Sequence, residues 1–351
     1  MSFDLLERVI RQTMAASPGP VVSFTWHGGE PTLAGIDFYR KALELERKYL
    51  PRGWEVWNNL QTNGLLINDG WCRFLKENRF DVGLSIDGPA CIHDSNRRLV
   101  SGEGTYERVI TAIKRLRANG IEPDLLCTVN AVSEESPLEV YHTLRDTHCG
   151  WVQFIPVVIR DGSGGIGPGS VSADGYGRFL TTVFDEWVAY DLGVLDVQLF
   201  AEMARIMAGG EASLCWMRPT CGDVLIAEED GSVYSCDHFV DPDHRLGNIY
   251  RGSLANMAAG RFQQAFGNVK KDALTDECRL CPYLRFCGGG CPKDRFGLSY
   301  DGQQGRYILC TGLKAFFAHA EPTLKKVMAM SAMGKKPSEI MVGLRTETPD
   351  N

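Results

Sequence analysis

Eight of the twelve cysteines of this chain lie between residues 215 and 310. Four of them form a dense run, CRLCPYLRFCGGGC, whose spacers are two, five and three residues long. Thiolates are strong metal ligands, and eight of them provide two sets of four. The eight are Cys215, Cys221, Cys236, Cys278, Cys281, Cys287, Cys291 and Cys310.

Three kinds of chemistry compete for these cysteines. Disulfides need an oxidising compartment, and the N-terminal sequence MSFDLLERVI has no charged segment followed by an apolar core that would direct export. Zinc takes four thiolates, and CxxC is its commonest spacing. The dense run resembles the nested spacing in which one cysteine serves a second iron–sulfur cluster. The spacing favours iron–sulfur clusters and leaves zinc as the alternative.

Composition excludes several other classes of protein. The 351 residues, 44% of them hydrophobic, can bury a full core and are enough for two domains. The net charge is −7 with both signs interspersed, which indicates neither a nucleic-acid surface nor a basic membrane patch. No apolar run approaches the roughly 20 residues of a membrane span. We therefore expect a protein of the reducing cytoplasm.

The part of the chain that precedes the cysteines alternates apolar runs with helical patterns. A helix is predicted around Leu5–Met14, and four more helices separate five short strands. Such alternation predicts parallel βαβ units, whose sites form after the carboxyl ends of the strands. The predicted strands are Val21–Trp26, Trp54–Leu60, Val82–Ile86, Leu125–Val129 and Val152–Val158.

The rest of the chain is predicted in less detail. Arg160–Val171 is rich in glycine and is either a mobile loop at the mouth of a substrate site or a plain connector. Amphipathic helices are predicted at Tyr176–Tyr190 and Gln198–Ala208, and a further helix at Leu313–Met330. The polar tail from Gly334 onward is predicted to be disordered.

The cysteine pattern Cx9Gx4C, then CxxCx5CxxxC, then a last cysteine resembles the SPASM domain, a twin-cluster domain of radical S-adenosylmethionine (SAM) enzymes. The resemblance implies two auxiliary [4Fe–4S] clusters. One would be held by Cys215, Cys221, Cys236 and Cys291, and the other by Cys278, Cys281, Cys287 and Cys310.

The segments after the predicted strands are similar, in order, to the radical SAM core. Gly28, Gly29 and Glu30 resemble the GGE motif that approaches the SAM amino group, where glycine lets the backbone come close and a carboxylate accepts ammonium hydrogens. The resemblance implies further SAM contacts to the ribose, the carboxylate and the adenine. These contacts fall on Ser85 in LSIDGP, Arg97 in HDSNRR and Ile155 in QFIP.

Within that superfamily, the strings HGGEPTL, LQTNG, SIDGP, QFIP, CDHF and CGGGCPKDR resemble the anaerobic sulfatase-maturating enzymes, from about residue 20 to 328. That family oxidises a cysteine or serine of an unfolded sulfatase peptide to formylglycine. The resemblance implies that Asp237 in CDHF is the catalytic base, since an aspartate can accept the thiol or hydroxyl proton. It also implies that Gln61 faces the peptide, and that a flavodoxin or ferredoxin donates electrons.

One feature of the family is missing. Radical SAM enzymes bind a third [4Fe–4S] cluster through CxxxCxxC after the first barrel strand, and these 351 residues contain no such spacing. We expect a partial (β/α)6 barrel without its first strand and cluster loop, inactive toward SAM as written. The sequence is either clipped or that of a degenerate paralogue. The expected parts are the barrel at 1–160, linker and helices at 161–210, SPASM domain at 211–330 and tail at 331–351.

Two alternative functions stay open. Another SPASM peptide maturase would crosslink a ribosomal precursor peptide, although the placement of Asp237 in CDHF speaks against it. A non-catalytic iron–sulfur or zinc module would keep only the cysteine domain. Metal analysis discriminates between the two kinds of metal site: about eight iron and eight sulfide per chain support two iron–sulfur clusters, whereas two zinc ions would reject them.

Overall fold

The computed structural model describes residues 1–162 and 164–347. The chain forms two compact units. The first comprises Met1–Thr62, Leu66–Val82 and Pro219–Ala273, and the second comprises Asn63–Leu65, Gly83–Arg218 and the described residues from Leu274 onward. The expected domain bounds therefore stay a prediction.

Helices and parallel strands alternate through the first 200 residues, and shorter elements follow. The helices are α1 (Phe3–Ala16), α2 (Ile36–Tyr49), α3 (Asp69–Glu77), α4 (Ala90–Asn96), α5 (Tyr106–Ala118), α6 (Pro137–Arg145), α7 (Ala173–Tyr190), α8 (Gln198–Met207), α9 (Leu254–Ala258), α10 (Arg261–Asp272), α11 (Asp276–Arg279), α12 (Leu284–Cys287), α13 (Cys310–Ala332) and α14 (Pro337–Glu347). The strands are β1 (Val21–Trp26), β2 (Glu55–Thr62), β3 (Asp81–Ser85), β4 (Asp124–Val129), β5 (Trp151–Pro156), β6 (Asp196–Val197), β7 (Ile226–Ala227), β8 (Ser232–Tyr234), β9 (Arg245–Asn248), β10 (Gly297–Leu298) and β11 (Gln304–Arg306).

A six-stranded sheet, in the order β1 to β6, confirms the predicted α/β class. Strand β1 pairs in parallel with β2, and β3 to β6 pair in parallel in turn. All five predicted strands are present, within a few residues of their predicted ends. The sixth, β6, was missed because its two residues are too short to form an apolar run.

One face of each strand packs against helices. In the first unit, Val22 and Phe24 of β1 lie in a core with Leu6 and Ile10 of α1. Helix α1 begins at Ser2, whose side chain accepts a hydrogen bond from the Leu5 N–H. The opposite face of β1 and its neighbour β2 carries the polar residues described below.

The prediction for the tail needs correction, and the prediction for the linker stays open. The tail was predicted to be disordered, but Pro337–Glu347 is helical, and Ile340 is buried there. The glycine-rich linker closes on itself through an antiparallel bridge between Arg160 and Ile166. The prediction for that linker also covered Ser163, and the prediction for the tail covered residues 348–351; these lie outside the described residues.

Candidate active site and metal centres

Four of the predicted ligands lie together in the second unit. Burial, together with negative charge on Cys281, Cys310 and Cys278, raises the pKa of the Cys287 thiol to about 11, against the opposing effect of a hydrogen bond from the Gly289 N–H. Such coupling requires the four sulfurs to be close neighbours. The structure thus brings these four cysteines together, as one set.

Two short helices and a turn of three glycines position these cysteines. Thr275 caps α11 and accepts a hydrogen bond from the Cys278 N–H at 3.3 Å. Helix α12 ends at Cys287, and the chain then reverses through the run 288–290, in which all three glycines have positive φ. A Cβ on Gly288 would come within 2.6 Å of two carbonyl oxygens, so the reversal requires glycine.

The chemistry of this donor set fits an iron–sulfur cluster. Four neighbouring thiolates, one of them buried and three partly buried, repel one another, and an iron–sulfur core would supply the positive charge that makes four thiolates stable there. None of the chain's twelve cysteines, all of which the structure describes, is in a disulfide. Cys278, Cys281, Cys287 and Cys310 are therefore the residues that would hold such a cluster.

The other four predicted ligands are divided between the units. Cys221 and Cys236 lie in the first, and Cys215 and Cys291 in the second. Their grouping around one cluster stays a prediction.

Helix α10 holds the segments that carry Cys221 and Cys236. The Cys221 N–H donates to the Gly267 carbonyl at 3.2 Å, and a Cβ on Gly267 would overlap the Cys221 carbonyl oxygen. The buried amide of Gln263 donates to the carbonyls of Gly222 at 2.7 Å and Ser235 at 3.1 Å. Sequence analysis missed both helix residues, because their contacts lie 28 to 46 positions away along the chain.

The GGE segment follows β1 and is tied to the end of β2. Glu30 accepts hydrogen bonds from the Thr32 N–H at 3.0 Å and from the Thr62 hydroxyl at 2.7 Å. Gly28 has a φ of +92°, and a Cβ there would meet no atom within 4 Å. Glycine adopts this backbone conformation without strain, and the space next to it is open to a ligand.

Gln61 precedes Thr62 and lies on a polar face of the β1–β2 pair. On that face Thr25 is opposite Asn59, and the Asn59 amide donates to the Ser23 hydroxyl at 3.0 Å. Gln61 is two residues beyond Asn59, so the strand period places it on the same face. Only Gln61 was predicted, although three polar neighbours share its face.

Asp237 lies in a cluster with Cys236 and His238 in which ligand atoms are within 4.8 Å of one another. Burial opposes ionisation of the Asp237 carboxyl, but a hydrogen bond from the Cys236 thiol at 3.0 Å and the charges of His238 and His27 lower its pKa overall. His27 directly precedes the GGE segment. The structure therefore brings the CDHF and GGE segments together.

Arg97 is held by a buried carboxylate that sequence analysis did not select. Asp87, only 1% exposed, forms a two-point ion pair with the Arg97 guanidinium. Asp87 also accepts a hydrogen bond from the Thr128 N–H at 2.8 Å. Since Asp87 is the aspartate of the SIDGP string, the motif itself contained the signal.

Ser85 and Ile155 share one face of the sheet in the second unit. Ser85 is opposite Leu126, and Ile155 is opposite Thr128, two residues further along the same strand. The intervening Cys127 faces the other side and is fully buried. The predicted ribose and adenine contacts thus lie on a common surface.

Two parts of the chain match models of known protein families. Residues 1–144 match the Radical SAM superfamily model, and residues 215–282 match the SPASM model, an iron–sulfur cluster-binding domain. The serine-type anaerobic sulfatase-maturating enzyme of Bacteroides thetaiotaomicron is 38% identical, with 98% of this chain and 87% of that protein covered. The chain belongs to the anaerobic sulfatase-maturating enzyme family. The family and the radical SAM and SPASM domains expected from the sequence are confirmed.

Other members of the anaerobic sulfatase-maturating family are also similar. The cysteine-type enzyme of Clostridium perfringens is 32% identical, with 93% of this chain and 88% of that protein covered. A solved structure of native anSMEcpe with bound AdoMet and the Kp18Cys peptide superposes with a TM-score of 0.85 at 32% identity, covering 93% of this chain and 90% of that one. Among the residues described for this member of the family, no helix is long and apolar enough to cross a membrane.

In this sulfatase-maturating family member, replacing Asp87 by asparagine should weaken SAM binding about tenfold, because the loss of a two-point ion pair releases the Arg97 guanidinium. Isothermal titration with SAM measures the effect. Asp81→Asn, at an exposed aspartate at the start of β3, the strand that precedes Asp87, is the control. Equal SAM affinity in the two variants would show that Asp87 does not position Arg97 for SAM.

Replacing Arg306 by glutamine should make the reduction potential of the neighbouring cluster more negative. Burial raises the pKa of Cys310, and a hydrogen bond from Arg306 opposes that rise. Removing this donor and its charge disfavours the reduced, more negative cluster. A potentiometric titration followed by electron paramagnetic resonance measures the shift. Arg285→Gln, which breaks the ion pair with Glu321, is the charge-matched control. The reduction potential of the cluster should be unchanged in this control.

Proposed function

We propose that this chain functions as a sulfatase maturase, which oxidises a cysteine or serine of an unfolded sulfatase peptide to formylglycine, and that the 351 residues alone, which contain no CxxxCxxC for a SAM-binding cluster, are inactive. The observation that carries the proposal is the position of Asp237 within electrostatic reach of His27, beside the GGE segment. A proton acceptor is thereby placed next to the segment assigned to SAM. The family relationship supports the same chemistry.

The oxidation removes a hydrogen atom from the β-carbon, a proton from the thiol or hydroxyl, and one electron. From serine this gives formylglycine directly. From cysteine it gives a thioaldehyde, which water hydrolyses to formylglycine with release of hydrogen sulfide. Bound SAM and the clusters supply the hydrogen-abstracting radical and the acceptor for the electron. Asp237 takes the proton, since an aspartate carboxyl is ionised at neutral pH and can accept it. Gln61, on the polar face of β2, offers an amide to the peptide backbone.

SAM, the two auxiliary clusters and an external electron donor are also required. Gly28, Gly29, Glu30, Ser85, Arg97 and Ile155 bind SAM, and the eight cysteines hold two auxiliary clusters. Electrons come from a flavodoxin or ferredoxin in a reducing cytoplasm, since clustered thiolates of this kind do not survive oxidation.

The experiment uses protein expressed from the complete reading frame and reconstituted anaerobically with iron, sulfide, SAM and dithionite. Peptides with cysteine, serine or alanine at the target position are incubated with it, and formylglycine is measured by mass spectrometry. We expect product from the cysteine or the serine peptide and none from the alanine peptide. Lack of product from both reactive peptides, in protein that cleaves SAM, would overturn the proposal.

Replacing Asp237 by asparagine should lower the rate of formylglycine formation by about 100-fold or more, because a general base contributes that much. SAM cleavage to 5′-deoxyadenosine should continue, which a merely structural role would not predict. Asp243→Asn, at an exposed aspartate six residues further on, serves as the control. Wild-type product formation in Asp237→Asn would remove Asp237 from the proposed chemistry.

A further inference from the structure

A groove of about 650 Å³ lies in the first unit, formed by β9, α9 and the start of α10. Arg245, Arg251 and Arg261 line it, and none of its described lining residues has a carboxylate. Within the part of the chain that the structure describes, the side chains of Arg251 and Arg261 have no ion-pair or hydrogen-bond partner. The chain as a whole has a charge of −7, so this positive charge is local and unmatched.

Arg245 is the one arginine of the groove with a carboxylate nearby. Hydrogen bonds from Ser232, and to a smaller extent the charge of Arg245, lower the pKa of Asp230. A second groove in the same unit makes a useful contrast. Its lining also has three arginines, Arg40, Arg47 and Arg73, but it includes the carboxylate of Glu77, and Arg40 forms an ion pair with Asp37. The charges of this groove are therefore mixed.

The arginine groove also has an apolar part. Leu246 and Met257 line it, and the ring of Phe262 is 52% exposed. Arginine beside exposed aromatic and methionine side chains is typical of protein–protein interfaces. An inorganic anion would need no apolar surface, and three arginines in an acidic chain are few for a nucleic-acid site. The composition therefore favours an acidic protein.

The position of the groove indicates what such a protein does. Arg245 begins β9 and is opposite Tyr234 of β8. The next residue, Ser235, donates its N–H to the His244 carbonyl at 3.1 Å and is directly followed by Cys236. A protein docked in the groove would thus lie beside the segment that carries a proposed cluster ligand.

We propose that this groove docks a small acidic electron-transfer protein, which in its oxidised form would accept the one electron that the cluster served by Cys236 takes from the peptide, so that the cluster is reoxidised and the docked protein is reduced. The inference rests on the proposed function for the identity of that cluster. Electron-transfer complexes are small and transient, burying less than about 1,200 Å², and electrostatic steering brings their partners together. Unmatched arginines around a small apolar centre suit that kind of contact.

The test measures the affinity of a purified acidic flavodoxin for the cluster-loaded chain by surface plasmon resonance at low and high salt. We expect Arg251→Glu combined with Arg261→Glu to weaken binding about tenfold or more, because two favourable charge contacts become repulsive. Arg47→Glu combined with Arg73→Glu makes the same change in net charge at the mixed groove and should leave binding within about twofold. Wild-type affinity should fall as salt rises.

Three results would overturn the docking site: no binding by the wild-type chain, equal loss in the two double variants, or no loss in either. Iron content of each variant verifies that the fold and clusters persist, and Arg251→Gln combined with Arg261→Gln should give an intermediate affinity. Failure of the proposed function is seen separately, since formylglycine formation with dithionite needs no protein donor. The groove variants should retain that dithionite-driven activity.

Discussion

Replacing Gly312 by alanine is expected to lower the free energy of unfolding by about 2 kcal/mol or more, even though alanine is the better helix former. Gly312 of α13 faces Gly177 of α7, and a Cβ at either position would enter the backbone of the other helix. At Gly312 the new carbon would overlap the carbonyl oxygen of Ala173. Because backbone atoms cannot rotate away as a side chain does, the two helices must separate.

Urea denaturation measures this loss. Gly70→Ala in α3 is the control, since its nearest neighbour is a side-chain atom of Asn68 at 3.1 Å and its φ is not positive. That change should be close to neutral. Helix α13 begins at Cys310, so Gly312→Ala should also reduce iron bound at the neighbouring cysteines. A variant as stable and as rich in iron as the wild type would contradict the close packing of α7 and α13.

Replacing Cys287 by alanine is expected to remove about half of the bound iron, because one of two four-iron clusters loses a ligand while the other keeps all of its own. Burial and the negative charge of the other three cysteines raise the pKa of Cys287, so its sulfur lies near theirs. Iron is measured per chain after anaerobic reconstitution and removal of excess metal.

Cys149→Ala is the matched control for that change. Cys149 is a buried thiol outside the eight, and burial raises its pKa. A neutral thiol in an apolar site is a small hydrophobe and not a ligand, so iron should stay at the wild-type level. An equal iron loss in the two variants, or an unchanged iron content in Cys287→Ala, would contradict the assignment of Cys287.

Sequence patterns predicted the parts of this protein that depend on neighbours in the chain. The five strands follow from apolar runs such as Val21–Trp26, and the opening helix follows from its periodic leucines. Strand β6 was missed because pairing with β5, and not its own two residues, makes it a strand. Helix α14 was missed because Ile340 is buried by distant parts of the chain.

The candidate site shows the same division. The cysteines, the GGE segment and the CDHF segment are visible as local strings. The contacts that hold them in place are not, because a contact joins separate positions of the chain. Gln263 of α10 joins the segments of Cys221 and Cys236. Asp87 stands in the SIDGP string, but the string does not show that its carboxylate pairs with Arg97. A local sequence pattern does not show which separate parts of the chain touch. These contacts were therefore found only in the three-dimensional structure.

The metal content of the chain tests the central claim most directly. Protein purified and reconstituted without oxygen should contain about eight iron and about eight sulfide per chain, the content of two [4Fe–4S] clusters. A brown solution whose iron and sulfide reach those values agrees with two sets of four cysteines. Two zinc ions per chain, or a colourless protein without iron, would contradict the account and the oxidative function that depends on it.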